Sequence, residues 1–270
     1  MCAKCLYPVS ATAGTIFQDT RKPLRLWLRA AWYVTSQKQG ASALGLQRVL
    51  GLKGYLTAWS WLHKLRRAMV RPGRDALSGT VEVDETYVGG MAEGKRGRGS
   101  GHKALVVIAA EEDGKGMGRI RMSRVADASA PSLEGFVQAT VAPGSRIHTD
   151  GWDGYAGLSV LGYAHEATVL RGQDKTAPTE LLPRVHRVAA LLKRWLLGTH
   201  QGAVRPNHLD YYLDEFTFRF NRRTSRSRGK LFYRLIQQAV QVEPSPYKEM
   251  VGGKPLGCAS PQPIGGTVVN

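Results

Sequence analysis

Hydrophobic positions at spacings of three and four residues open the chain. Leu24, Trp27, Leu28, Ala31 and Trp32 follow Pro23, a residue suited to a first helical turn, and predict an amphipathic helix. A second helix is predicted over 42–50, a turn at Gly51 and Gly54, and a third helix over 56–70 with Leu62 and Leu65 inward and Lys64, Arg66 and Arg67 outward. Two short helices joined by a glycine-containing turn, the second one basic, fit a helix-turn-helix; a plain bundle with a solvated basic face fits equally well. From Gly79 the period shortens to two, and the alternating, β-branched stretch over 80–88 predicts a strand. Further strands are predicted over 103–110 and 118–125, a helix over 131–140, and a short strand ending near His148. Helical periodicity returns over 183–197 and 207–220. The expectation is an α/β fold: a small helical, helix-turn-helix-like region over 1–73, then a mixed-sheet domain over 79–235. Residues 243–270, rich in Pro and Gly, read as a mobile, disordered tail.

Charge adds a partner to this outline. The 270 residues hold 38 Lys and Arg against 21 Asp and Glu, a net charge of +17, within an otherwise ordinary 43% hydrophobic composition. Such a surplus favours a polyanion, with nucleic acid first. Residues 1–78 carry 13 of the basic residues and only two acids, Asp19 and Asp75, so the acids able to do chemistry lie almost entirely further on. The Arg71-Pro72-Gly73-Arg74 punctuation marks the change. No apolar run of about 18 residues and no leader-like start occur, so no membrane partner is expected and the protein reads as cytoplasmic. Three cysteines, Cys2, Cys5 and Cys258, do not make a disulfide framework.

Two segments can carry chemistry: Val-Glu-Val-Asp84-Glu-Thr-Tyr and Ile-His-Thr-Asp150-Gly-Trp-Asp153-Gly-Tyr. Each sets an aspartate on or just after a strand. Two such carboxylates on neighbouring strands suit a hard divalent cation that keeps water and phosphate ligands. A glycosidase acid and base is the alternative, disfavoured because a neutral sugar does not call for a charge of +17. Period two, taken alone, puts Asp84 on a solvent face, and Asp150 before Gly151 also suits a plain turn. Two basic stretches can contact phosphates or simply be solvated: 89–103 with Lys95, Arg96, Arg98 and Lys103, and 219–230 with Arg222 and Arg223 among its six cations.

Five ordered blocks bring these residues together: Thr-Ala-Gly-Thr-Ile-Phe-Gln-Asp-Thr-Arg-Lys-Pro-Leu at 12–24, Val-Glu-Val-Asp-Glu-Thr-Tyr-Val-Gly-Gly at 81–90, His-Thr-Asp-Gly-Trp at 148–152, Leu-Lys-Arg-Trp-Leu-Leu-Gly-Thr-His at 192–200 and Tyr-Leu-Asp-Glu-Phe-Thr-Phe-Arg-Phe-Asn-Arg-Arg at 212–223. On these the chain resembles bacterial insertion-sequence transposases of the DDE superfamily, in the ISXO-like group with an N-terminal zinc ribbon and a ribonuclease H-like catalytic domain. The resemblance implies action on double-stranded DNA (terminal repeats and target), a homo-oligomer on DNA that joins two element ends, a nucleoid-associated location and Mg²⁺ or Mn²⁺ as cofactor. It makes Asp84 and Asp150 the first two metal-binding carboxylates, Lys193 and His186 groups that position phosphates, and Glu85 and Asp153 neighbours with weaker claims. In the implied mechanism two metal ions about 3.5–4 Å apart activate water against a phosphodiester, and the freed 3′-hydroxyl then attacks target DNA. Lys64, Arg66, Arg67, Lys95, Arg96, Arg98, Arg222 and Arg223 are the expected DNA contacts.

Two departures follow from the same resemblance. The third active-site residue, usually Asn or Glu two positions before the lysine, is here Leu191, which coordinates nothing. An isobutyl group is then expected to face the metal cleft, with strand transfer weak or absent and DNA binding retained. A transposase-derived protein that binds DNA without cutting it is therefore the alternative, and a nuclease without strand transfer a third reading. At the N-terminus Cys2-x-x-Cys5 matches only the second half of a four-cysteine ribbon, as in a copy truncated or started late. A closed zinc site wants four ligands, so structural zinc is not expected and free thiols are.

Overall fold

The computed structural model describes residues 10–71, 73–89, 103–168, 181–202 and 204–251. Three helices come first, α1 (Leu24–Ser36), α2 (Ala43–Leu50) and α3 (Tyr55–Arg67). The Ser42 hydroxyl caps α2 by accepting the Gly45 N–H at 3.0 Å, and Gly51 ends it at φ 64°, a left-handed conformation that suits glycine. Trp27, Ala30, Ala31 and Val34 of α1 meet Ala58, Trp61, Leu62 and Leu65 of α3 in a core built around the stacked Trp27–Trp61 pair, ring centroids 3.9 Å apart. The apolar stripe expected on α1 is split. Trp27 and Ala31 enter the core, whereas Leu24, Leu28 and Trp32 lie on an outer stripe four residues apart and are exposed.

The sheet follows: β1 (Thr80–Val88), β2 (Ala104–Asp113), β3 (Gly116–Val125), then α4 (Ala130–Thr140), β4 (Arg146–Asp150), a short 3-10 helix (Asp153–Ser159) and β5 (Ala164–Thr168). Its order is β3-β2-β1-β4-β5, with β2 antiparallel to its neighbours and β4 and β5 parallel to β1. Four helices complete the chain, α5 (Pro183–His200), α6 (Leu209–Phe220), α7 (Arg228–Ala239) and α8 (Tyr247–Val251). Helix α4 and the 153–159 segment cover one sheet face through Leu133, Val137 and Leu158, against Val81, Val83 and Ile147. Helices α5 and α6 cover the other through Val185, Leu192 and Phe216, against Val106, Ile108 and Ile120. Strand β2 is sandwiched between them, which is why it reads as an unbroken apolar run. The fold class is the expected one, α/β, with a helical N-terminal region followed by a mixed sheet.

Three elements differ from expectation. Helix α7 carries Leu231, Leu235 and Ala239 at helical spacing, but arginines and a lysine around its start hide the pattern; Leu235 and Ala239 enter the core of α1–α3. Strand β5 is a five-residue edge with mostly exposed side chains, so it has no apolar alternation to read. Part of the expected tail is built into the fold, because α8 sets Met250, 2% exposed, in the sheet-side core. Residues 252–270 lie outside the described residues.

Candidate active site

Alternation sorts β1 into two faces. Val81 and Val83 enter the core beneath α4, while Glu82, Asp84 and Thr86 face α5. The face that pattern alone assigns to solvent is therefore covered by a helix, a correction that only the later part of the chain could supply. Glu82, 1% exposed, accepts the backbone N–H groups of Arg184 and Val185 at 2.7 and 3.0 Å, first-turn donors that the helix itself leaves unsatisfied. It also accepts from the Arg184 guanidinium at 2.8 Å. One step along the same face, Asp84 Oδ2 lies 3.7 Å from Nδ1 of His186. One step further, the Lys193 ammonium donates to the Thr86 hydroxyl at 2.7 Å. Glu82 fixes the helix, and the helix brings His186 and Lys193 over the strand face that carries Asp84.

Strand β4 brings the second aspartate. In the parallel pairing of β1 with β4, Thr80 faces Arg146 and Glu82 faces His148, a constant offset of 66 positions. The pairing ends there, and Asp84 and Asp150 each lie two residues further along their strands, an even step that keeps them on the faces of Glu82 and His148. Asp150 Oδ1 accepts the Trp152 N–H at 3.2 Å, so the turn role its position suggests is also filled. The Trp152 indole anchors the turn on the Ala128 carbonyl at 2.8 Å; at Gly154 a Cβ would meet that carbonyl and the Leu133 side chain, each at 2.8 Å. Asp153 opens the short helix and is exposed. Tyr155, fully buried, donates its hydroxyl to Glu85 at 3.0 Å. Burial, then Glu85, Asp84 and Asp150, push that hydroxyl far above the ordinary tyrosine range. It stays protonated, and it senses all three carboxylates.

Lys193 sits between opposing influences: desolvation lowers its pKa from the ordinary lysine value, Lys103 adds to this, and Asp84 opposes it. Leu191 is not in the cleft. Two residues before Lys193 is about 200° round a helix of 3.6 residues per turn. Leu191 accordingly packs, half-buried, against the sheet-side core, as Trp195 does. The residues that share the stripe of His186 and Lys193 are Ala189 and Ala190, each three from one and four from the other. The expectation that an isobutyl group faces the metal cleft is thereby corrected by helical geometry.

Among the described residues no group of three or more His, Cys, Asp or Glu side chains is placed to hold a metal ion by itself. The donor chemistry of two carboxylates suits a hard divalent cation that draws its remaining ligands from water and phosphate. Cys2, Cys5 and Cys258 lie outside the described residues.

The basic residues divide. Lys64 and Arg67 are half-buried on the outer side of α3; burial lowers the Lys64 pKa, Asp19 opposes this and Arg67 adds to it. Arg66, expected outward, is 2% exposed: it donates to Glu215 at 2.7 Å and lies over the Tyr212 ring, 4.1 Å from its centroid. The reason is that α3 is packed on two sides, by α1 and α2 through Leu62 and Leu65 and by α6 through His63 and Arg66, and a single-stripe reading allows only one. Arg222 and Arg223 lie over the rings of Phe218 and Phe220 and donate to backbone carbonyls, those of Phe218 for one and of Phe220, Gly118 and Met117 for the other. Lys95, Arg96 and Arg98 lie outside the described residues. Glu82, Tyr155 and Glu215 carry no local signal of their roles, since each meets partners far along the chain.

Residues 76–221, more than half of the chain, match the ISXO2-like transposase domain, and the chain belongs to that family. Such transposases depend in general on divalent metal ions. The chain is also similar to the catalytic core domain of BIV integrase, at 14% identity and a TM-score of 0.32 over 51% of this chain and 81% of that one. A chain of the simian T-cell lymphotropic virus intasome in complex with the PP2A regulatory subunit B56 gamma is similar at 15% identity and a TM-score of 0.34, over 68% of this chain and 66% of that one. No curated protein matches it. Among the described residues no helix is long and apolar enough to cross a membrane.

Proposed function

We propose that the protein is the transposase of an insertion sequence, cleaving phosphodiesters at the element ends and joining them to target DNA with Mg²⁺ or Mn²⁺. The observation that supports this reading is that His186 and Lys193 of α5 approach the β1 face that carries Asp84, with β4, the strand of Asp150, paired beside β1 up to Glu82 and His148. Asp84 and Asp150 would hold the cation, whose contribution when bound is to polarise the scissile phosphate and activate water. In the first step the water oxygen bonds to phosphorus as the P–O3′ bond breaks, leaving a 3′-hydroxyl. In the second, that 3′-oxygen bonds to a target phosphorus and displaces another 3′-oxygen. Lys193 sets positive charge beside the phosphate, and His186 offers a ring nitrogen that can pass a proton. Tyr155 holds the Glu85 carboxylate from behind, and Glu82 keeps α5 in register without touching DNA.

Double-stranded DNA, as terminal repeats and target, is the proposed partner, held through phosphates by Lys64, Arg67, Arg222 and Arg223 together with Lys95, Arg96 and Arg98. Joining two ends calls for more than one copy of the chain. The alternative, a protein that binds DNA without cutting it, rested mainly on Leu191, and that residue is half-buried against the sheet-side core. The test is Mg²⁺-dependent cleavage of a labelled element end, with binding measured in parallel, for wild type, Asp84→Asn and Asp150→Asn. Cleavage by wild type and binding without cleavage by both variants is expected; binding without cleavage by all three leaves the alternative.

A further inference from the structure

A group of aromatic rings that the proposed chemistry does not use meets where the start of α3 faces the helices after the sheet. Tyr55 and Trp59 of α3, His208 and Tyr212 opposite them, Tyr247 of α8 and Arg205 line a cavity of about 290 Å³. The His208 and Tyr247 rings stand at 78° and 80° to the Trp59 indole, with centroids 5.2 and 6.3 Å away, so the walls form a corner. Burial and then Arg205 lower the His208 pKa, which keeps the imidazole neutral at neutral pH, and its buried Nδ1 has no hydrogen-bond partner among the described residues. Behind this wall His63 is fully buried against Trp59, centroids 4.1 Å apart.

Aromatic walls accept either a cation or a flat ring. Arg205 at this cavity and a chain charge of +17 argue against a cation and for a neutral flat ring joined to an anionic group, which is a base with its phosphate. A base pair within a duplex is too large for such a space and is held in its stack, whereas a single unpaired base can enter. Lys64 and Arg67, proposed above to hold phosphates, lie further along the same α3. We infer that this cavity receives one unpaired nucleobase of bound DNA, stacked on an aromatic wall, with Arg205 at its phosphate. This inference rests on the DNA-binding reading of α3 and deepens it.

The probes are two labelled duplexes of the same sequence, one fully paired and one with a single bulged 2-aminopurine, titrated against the full chain with free dAMP as a third ligand. Wild type should bind the bulged duplex about tenfold more tightly, as expected for one stacked base, and quench its 2-aminopurine. Tyr55→Leu and Tyr247→Leu, changes at exposed rings that leave the core intact, should lose the preference and the quenching while keeping wild-type affinity for the paired duplex. Equal affinity of wild type for the two duplexes, or a preference that survives both substitutions, overturns the inference and leaves the DNA reading standing. Tight binding of dAMP without a bulge preference overturns it in favour of a mononucleotide site. Failure to bind either duplex removes the DNA reading and the inference with it.

Discussion

Glu215 and Asp84 both face basic side chains, and the two regions are built differently. Glu215 is fully buried between Arg66 at 2.7 Å and Arg219 at 2.8 Å. Burial alone would push its carboxyl up, but the two arginines outweigh this and hold it at about 2. Arg219 also donates to the Val34 and Gln37 carbonyls, so the cluster joins α6 to the N-terminal helices. At the strand ends Tyr155 donates to Glu85 at 3.0 Å and its hydroxyl is pushed up further by Asp84 and Asp150, while His186 lies 3.7 Å from Asp84, whose side chain is 18% exposed. One region sets two arginines against one fully buried carboxylate; the other sets carboxylates beside a histidine and a lysine, with the Asp84 side chain partly exposed. The first geometry is costly to break by removing one partner, and the second sets carboxylates at a partly open edge, the donor type that a hard cation and its phosphate call for.

The largest expected effect breaks the open region. Asp84→Asn or Asp150→Asn should lower metal-dependent cleavage by on the order of 10⁴-fold, because parts of such a site act together. DNA affinity and the unfolding midpoint should stay near wild type, and a variant that loses affinity in step with cleavage would argue for a structural role instead. In the closed region Glu215→Ala should cost about 3–5 kcal/mol in urea unfolding, since it leaves Arg66 buried without its partner. The double variant Arg66→Met, Glu215→Leu should recover much of that loss; equal stability of single and double variants would show that the pair is not the source of the cost. Glu82→Ala lies between the regions in kind, removing the acceptor of two backbone donors and one guanidinium. A stability loss of about 1–3 kcal/mol is expected, with cleavage falling further than DNA affinity as α5 loosens. Cleavage that tracks only the folded fraction would separate Glu82 from the site.

The same contrast explains what could be read from the chain. Asp84 and Asp150 were legible through the five ordered blocks, since strand alternation and the turn signal alone read one as solvent-facing and the other as a turn residue. The two-sided packing of α3 was not, since Arg66 and Glu215 are 149 residues apart and a basic residue on a helix reads as surface until its partner is known. The stripe shared by His186 and Lys193 follows from the helical period alone, and it excludes position 191, which motif spacing had favoured. Helix α7 escaped notice because its three apolar positions follow a run of cations, and β5 because an exposed edge strand has no buried face to write into the sequence.

A smaller effect sharpens the comparison through pH. Burial first, then neighbouring cations and histidines, lower His63 from 6.5 to about 2, and burial and Arg66 lower His200 to about 4. Both imidazoles are neutral in the native protein, while the unfolded chain takes up protons below pH 6.5. Their contribution to stability is therefore intact above pH 6.5 and is lost as pH falls, down to about 4 for His200 and about 2 for His63. The slope is at most about 1.4 kcal/mol per pH unit for each histidine. Both His63 ring nitrogens are buried without partners among the described residues, so His63→Phe should be neutral or mildly stabilising at pH 7 and flatten the acid limb. Urea unfolding from pH 7 to 4 checks this, and an unchanged slope would mean that His63 is not held neutral.

The smallest predicted effect tests the central claim most directly, namely that the α5 face of His186 and Lys193, and not position 191, completes the site of Asp84 and Asp150. Cleavage of one labelled element end in Mg²⁺, at matched occupancy, should proceed at the same rate for the wild-type chain and for Leu191→Asn. A wild-type chain that binds this end without cutting it, beside a Leu191→Asn variant that cuts, would contradict the claim.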